Sequence, residues 1–247
     1  ISFVCRYLSS GGASLPYKQL QASEFADLTA NGIAVVFNWE TTSDFMLQGQ
    51  PQGVADAQAA LSYIQSLPGV PQGYQPVVYF SADFDEAPDQ DAAVQAYLLG
   101  AASVLGGMDH VGIYGAYYIC TRAQAAVGVK YIWQTEAWSG GNITSAVNIM
   151  QRNSLGYQTI DGVQCDIDEQ HTDDIGAFTG GQPVVPPPAA PTDAAPLTNA
   201  QMQDLFNMVS IIFQQTAGVV PGLPLLPGSP TPFPATWPVS LKQVLGE

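Results

Sequence analysis

The most chemically suggestive stretch of the sequence is Val78-Tyr79-Phe80-Ser81-Ala82-Asp83-Phe84-Asp85, an apolar run that ends in two carboxylates. If the run is a strand, Asp83 and Asp85 share one face, roughly 6–7 Å apart along the backbone. Acids that close oppose each other's ionisation, which raises one pKa and keeps a proton available near neutral pH. Cleavage of a glycosidic bond needs such a proton donor for the leaving oxygen, and usually a second carboxylate as base, nucleophile or charge stabiliser. Further acids end other apolar runs: Glu40, then Asp166 and Asp168. Arg6, Tyr7, Tyr114, Gln134, Glu136 and Gln151 occupy equivalent places, while Trp39, Trp133 and Trp138 offer flat apolar faces suited to sugar rings. The set reads as Asp85, Asp83, Glu40 and Asp166 for catalysis, with the other polar groups, Trp39, Trp138 and Asp168 for binding.

Each residue also has a plainer reading. Acids at strand ends serve as solvated loop caps, Arg6 serves as a counter-ion to Asp83 or Asp166, and Trp133 inside a strand serves as core. Asp85, Glu86, Asp89 and Asp91 lack the D-x-[DN]-x-[DN]-G pattern of a calcium loop and suit a helix N-terminus, where acids complement the dipole. His110 and His171 have no ligand spacing. No metal and no cofactor is expected. Cys5, Cys120 and Cys165 are odd in number and far apart, which favours buried free thiols over a disulfide framework. A single Cys5–Cys165 bridge stays open, because these two lie on the first and last clear strands.

The elements that must position these groups alternate. Apolar, β-branched runs at 2–7, 33–39, 77–84, 110–114, 131–135, 149–151 and 162–167 are separated by helical stretches at 16–31, 54–66, 89–105 and 119–126. Gly32, Gly69, Gly107 and Gly128 act as stop signals after the helices. Seven strands with crossover helices predict an α/β fold, a TIM-type (β/α) barrel with an irregular eighth strand. In such a barrel the working residues sit at the C-terminal ends of the strands, where all the candidates above fall.

From Gln182 the composition changes. A proline-rich linker spans 182–197, and a capping box at Thr198 and Gln201 opens an amphipathic helix over 198–217, with Met202, Leu205, Phe206, Val209, Ile212 and Phe213 on one face. An extended proline-rich segment over 218–247 carries Phe233 and Trp237. These pieces bury too little by themselves to offset about 1–2 kcal/mol of backbone entropy per residue. The tail is therefore expected to attach the barrel of residues 1–181 to other subunits or to copies of itself.

The stretches FVCRYLS (3–9), VVYFSADFD (77–85), VGIYGAYY (111–118), WQTEAWSGG (133–141) and VQCDID (163–168) resemble the glycoside-hydrolase-like domain of unknown function 1906 of actinobacterial and phage cell-wall proteins. That family is similar to the family-25 lysozymes. The resemblance runs over about residues 1–178 and implies a TIM-type barrel with peptidoglycan or another cell-wall glycan as ligand. It places Asp85 at the lysozymes' general acid, Asp166 at their late aspartate and Gln151 at the glutamine of their W-Q motif. An aspartate where the lysozymes carry glutamate retracts the acid by about one methylene, and misplacement on that scale costs about a hundredfold. Their opening aspartate has no counterpart after Ile1.

With 6 Lys plus Arg against 21 Asp plus Glu, the net charge of −15 repels phosphate backbones and anionic lipid. Nucleic acid is excluded as a partner, and no run of apolar residues is long enough for a membrane span. The chain opens on Ile1, inside an apolar run, which suggests a processed or trimmed product. Three functions compete: a muramidase-like glycosidase, a non-catalytic receptor-binding barrel, and a structural decoration of a phage tail. The combined expectation is a virion-borne or secreted domain engaging the cell wall. A free endolysin is the remaining alternative.

Overall fold

The computed structural model describes residues 1–10, 18–160 and 162–180. The expected linker, amphipathic helix and docking segment of residues 182–247 lie outside the described residues.

Among the described residues, nine strands and four α-helices make up the barrel region. Strands β1 (Phe3–Tyr7), β2 (Ala34–Trp39), β3 (Val78–Ser81), β4 (Val111–Gly115), β5 (Tyr131–Thr135) and β6 (Ile149–Gln151) pair in sequence order, all parallel. Helix α1 (Ala22–Ala30) joins β1 to β2, α2 (Gln50–Ser66) joins β2 to β3, α3 (Asp91–Leu105) joins β3 to β4, and α4 (Tyr117–Val127) joins β4 to β5. This is the repeated β-α crossover expected of a parallel sheet.

The last part of the sheet departs from expectation. Residues 162–167 do not form the final barrel strand. Instead β7 (Gln158–Ile160) and β8 (Val163–Cys165) form a separate antiparallel hairpin, and β9 (Asp168–Gln170) returns antiparallel along β6. In the sequence, Asp161-Gly162 is a strong two-residue turn signal. A polar triplet such as β9 carries no apolar signature, because its place depends on backbone pairing with β6. The domain is therefore a curled, TIM-like half-barrel of seven strands and not a fully closed parallel barrel. Its two edge strands nonetheless approach each other, since burial and, after it, the Asp168 carboxyl of β9 push up the Cys5 thiol of β1. All three cysteines are free thiols, so no Cys5–Cys165 bridge is present.

Strand alternation sorts the core into two layers. One set of residues, including Val35, Phe37, Val78, Phe80, Val111, Ile113 and Ile132, packs against the helices. The alternate set, Val36, Tyr79, Tyr114, Tyr131, Trp133 and Ile149, fills the concave interior. Tyr79 meets Tyr131 and Trp133 edge-on at 6.2 Å, and Tyr114 meets Trp133 at 4.7 Å. Gly112 makes room for this stack, since a Cβ there would lie 2.5 Å from the Tyr79 ring. The N-terminal end of the barrel is stopped by the chain after β9: Tyr79 Oη donates to Ile175 O at 2.9 Å, and Phe178 exchanges backbone hydrogen bonds with Val35.

Candidate functional site

Above the aromatic floor, the interior-facing side chains turn polar. Asn38 Nδ2 donates to Ser81 Oγ at 2.9 Å, and Tyr114 Oη donates to Gln151 Oε1 at 2.7 Å, all within the buried interior. Parity puts Glu40 on the same face as Asn38, and Asp83 on the same face as Ser81. Ser9 Oγ hydrogen-bonds the carbonyl of Glu40 and ties the end of β2 to the end of β1. The amide of Asp83 donates to Ser43 O at 3.0 Å, which fixes the chain where β3 gives way to loop.

Asp83 is the electrostatic hub. Its charge acts on Glu40, Tyr7, Tyr114 and Asp166. The Glu40 carboxyl is pushed up first by burial and then by Asp83, against the Ser81 hydroxyl and the Lys18 ammonium, which favour its charged form. Asp166, after β8, is raised by partial desolvation and by Asp83, while Lys18 pulls the other way. Deeper in the barrel, Asp168 accepts a hydrogen bond from Trp133 Nε1 at 2.8 Å. Burial on the aromatic floor dominates there, reinforced by Asp166, and pushes its pKa up to about 7. Tyr7 and Tyr114 are raised far above the ordinary tyrosine range, chiefly by burial, so both stay protonated donors.

The structure thus brings together Tyr7, Glu40, Asp83, Tyr114, Gln151, Asp166 and Asp168 at the C-terminal end of the half-barrel. It separates others from them. Arg6 points outward and pairs with Glu24 of α1 at 2.6 Å, so it is not a counter-ion to Asp83 or Asp166. Its neighbour Tyr7 faces inward because alternate residues face opposite ways. Trp39 packs with the outer, helix-facing core. Gln134 is fully buried on the outer side and clamps the loop after β5, donating to Asn142 O at 2.8 Å and accepting from Thr144 N at 2.9 Å. Glu136 is held by Arg152 at 2.8 Å and by the Ser154 amide at 2.6 Å, contacts that keep its carboxyl below the usual range. Trp138 stands on the exposed rim of the same end.

Asp85 is exposed, beyond the end of β3, and is not among the charges that shift Glu40, Asp166 or Asp168. Its neighbour Glu86 is buried instead, in an ion triad with Arg122 and Asp91 at the start of α3.

Residue types alone did not single out Lys18, Ser9, Asn38 or Ser81. Lys18 lies in the loop after β1, its ammonium 4.9 Å from the Tyr7 ring centroid, and among the described residues it has no ion pair. The signals were available: Lys18 is one of only six basic residues and follows a strand, and Asn38 and Ser81 share parity with Glu40 and Asp83. Among the described residues no cluster of His, Cys, Asp or Glu is arranged to hold a metal ion, and no helix is long and apolar enough to cross a membrane. The arrangement can supply a protonated acid, a nearby carboxylate and phenol donors around one opening.

Comparison with known proteins identifies the fold's relatives. The family profile of the Rv2525c-like, glycoside hydrolase-like domain matches residues 1–177. No functionally curated protein matches the chain. Two crystal structures of the Mycobacterium tuberculosis Tat-secreted protein Rv2525c share the fold, one in complex with L-tartrate and one with HEPES. Their TM-scores are 0.62 and 0.63 at 24% identity, over 70% and 71% of this chain and 86% and 88% of the other.

Proposed function

The chain belongs to the Rv2525c-like family of glycoside hydrolase-like domains, and on that premise we propose that its carboxylate-lined opening binds a bacterial cell-wall glycan and hydrolyses a glycosidic bond in it. The observation that carries the reading is the grouping of Glu40 and Asp83 at neighbouring strand ends, with Glu40 raised by burial and by Asp83 itself. Glu40 then serves as general acid, passing its proton to the leaving glycosidic oxygen. Asp83 presents the negative charge that the oxocarbenium-like centre requires. Water supplies the hydroxyl at the anomeric carbon and returns a proton to Glu40. Tyr7 and Tyr114, held protonated, donate hydrogen bonds to sugar hydroxyls, and Asp166 with Lys18 borders the opening.

This assignment moves the acid from Asp85, the position suggested by resemblance to the lysozymes, to Glu40. The exposure of Asp85 favours a second reading, glycan recognition without turnover, because a lysozyme-type acid at that position would lie in open solvent. Release of reducing ends from purified cell walls, compared across the wild type, Glu40→Gln and Asp83→Asn, separates the two.

The Tat-secreted relative supports an exported protein. The virion-tail placement, with residues 183–247 as the attachment to other subunits or to copies of the chain, rests on the composition of that segment alone.

A further inference from the structure

Trp138 is the one residue other than glycine with a positive φ among the described residues, at 54°. A side chain with a Cβ is disfavoured in that region. Gly140 and Gly141 follow at φ 59° and 80°, so the loop contains glycines yet places an indole at a strained position. The frame around it is fixed from several sides. Ser139, buried at 1% exposure, donates from Oγ to Thr135 O at 2.6 Å and accepts from the Tyr117 amide at 2.9 Å. The Ala137 amide donates to Thr135 Oγ1 at 3.2 Å, and the Gln134 clamp holds the far side of the loop through Asn142 and Thr144.

Within this rigid frame Trp138 is left 42% exposed. Tyr118, in the first turn of α4, is 45% exposed and accepts a hydrogen bond from Asn142 Nδ2 of the Trp138 loop at 3.4 Å. Its ring is braced edge-on by Tyr117 at 5.2 Å. A mobile loop would let the indole fold down onto apolar surface; a fixed one keeps it in water. Strain held by an over-determined surround is characteristic of ligand clamps.

We propose that Trp138 and Tyr118 form an aromatic outer subsite for a pyranose ring of the glycan, separate from the Glu40–Asp83 centre. The C–H face of a sugar ring suits the flat rings, and the Tyr118 hydroxyl and Asn142 amide suit its hydroxyl edge. The subsite stands on the first turn of α4 and the loop after β5, at the same end of the sheet as Tyr114, so only a strand of several sugars reaches both places. Binding therefore gains with glycan length. The proposal rests on the glycan reading of the opening.

The test titrates the full chain with peptidoglycan glycan strands of two and eight sugars, freed of peptide, followed by calorimetry. The wild type prefers the long strand. Trp138→Gly, which also relieves the positive φ, and Tyr118→Ala weaken the long strand by roughly tenfold and leave the short one within about twofold. Trp138→Gly melts at or above the wild-type temperature, because the indole supports no core. If the wild type binds both lengths equally, or Trp138→Gly keeps the length preference or lowers the melting temperature, the platform is refuted while the inner site stands. If the wild type binds neither strand, the glycan reading fails and the platform with it.

Discussion

Replacing Asp168 by asparagine removes a charge from the barrel interior while keeping the shape and the acceptor oxygen that Trp133 Nε1 uses at 2.8 Å. Burial, with Asp166 adding to it, raises this carboxyl from its ordinary 3.8 to about 7. A carboxyl that holds its proton more tightly when folded favours the fold at low pH. The advantage fades as pH rises from about 4 towards 7, and above that the folded chain carries the full cost of the buried charge. The gap corresponds to on the order of 4 kcal/mol, and relaxation with water entry brings it to about 2–3 kcal/mol. Urea denaturation of both proteins at pH 5 and pH 8.5 isolates the effect, because other titrating groups are common to both. Part of that gap is already lost at pH 5, because the unfolded carboxyl ionises near 3.8, so the stability of Asp168→Asn relative to the wild type rises by about 1–2 kcal/mol between the two pH values. A difference that does not change with pH, or an asparagine variant weaker than the wild type at pH 8.5, refutes the reasoning. It would show that the Trp133 hydrogen bond outweighs desolvation.

Two further outcomes follow from the geometry. Lys18→Gln removes the ammonium that favours ionised Glu40, so the Glu40 pKa rises and the alkaline limb of the pH–activity profile moves to higher pH; an unmoved limb separates Lys18 from the acid. Gly53 of α2 and Gly100 of α3 let these helices touch, since a Cβ would fall 2.0 Å from Tyr97 O or 2.4 Å from Gln50 O. Gly53→Ala should therefore lose about 1–3 kcal/mol in thermal melting despite alanine's better helix propensity.

Much of the barrel was legible because apolar strands and small-residue helices alternate with clear glycine stops, and β1 to β6 lie where those patterns fall. The placement of the candidate residues was legible to the level of strand ends but not of faces. Taking polar residues from every strand end gathered both parities, so Arg6, Trp39 and Gln134, which face the helices, were grouped with Tyr7, Glu40 and Asp83, which face the interior. Applying the period-two rule from Ser81 would have separated them. The rule itself lapses after Asp83: β3 ends at Ser81, the chain turns, and Asp85 no longer shares Asp83's surroundings. β9 was hidden for a different reason, because Asp168-Glu169-Gln170 owes its strand conformation to backbone pairing with β6 and carries no hydrophobic period. Lys18 was overlooked because a lone cation in a loop has no pattern of its own, and its meaning comes from the acids that folding brings beside it.

The central claim is that Glu40 and Asp83, and not the Asp83–Asp85 pair, form the reacting centre. It is tested most directly by measuring reducing ends released from purified bacterial cell walls by the wild type, Glu40→Gln, Asp83→Asn and Asp85→Asn. The account predicts release by the wild type, a loss of about a hundredfold or more in Glu40→Gln and Asp83→Asn, and Asp85→Asn within a few-fold of the wild type. No release by the wild type, or full activity in Glu40→Gln alongside loss in Asp85→Asn, would contradict it.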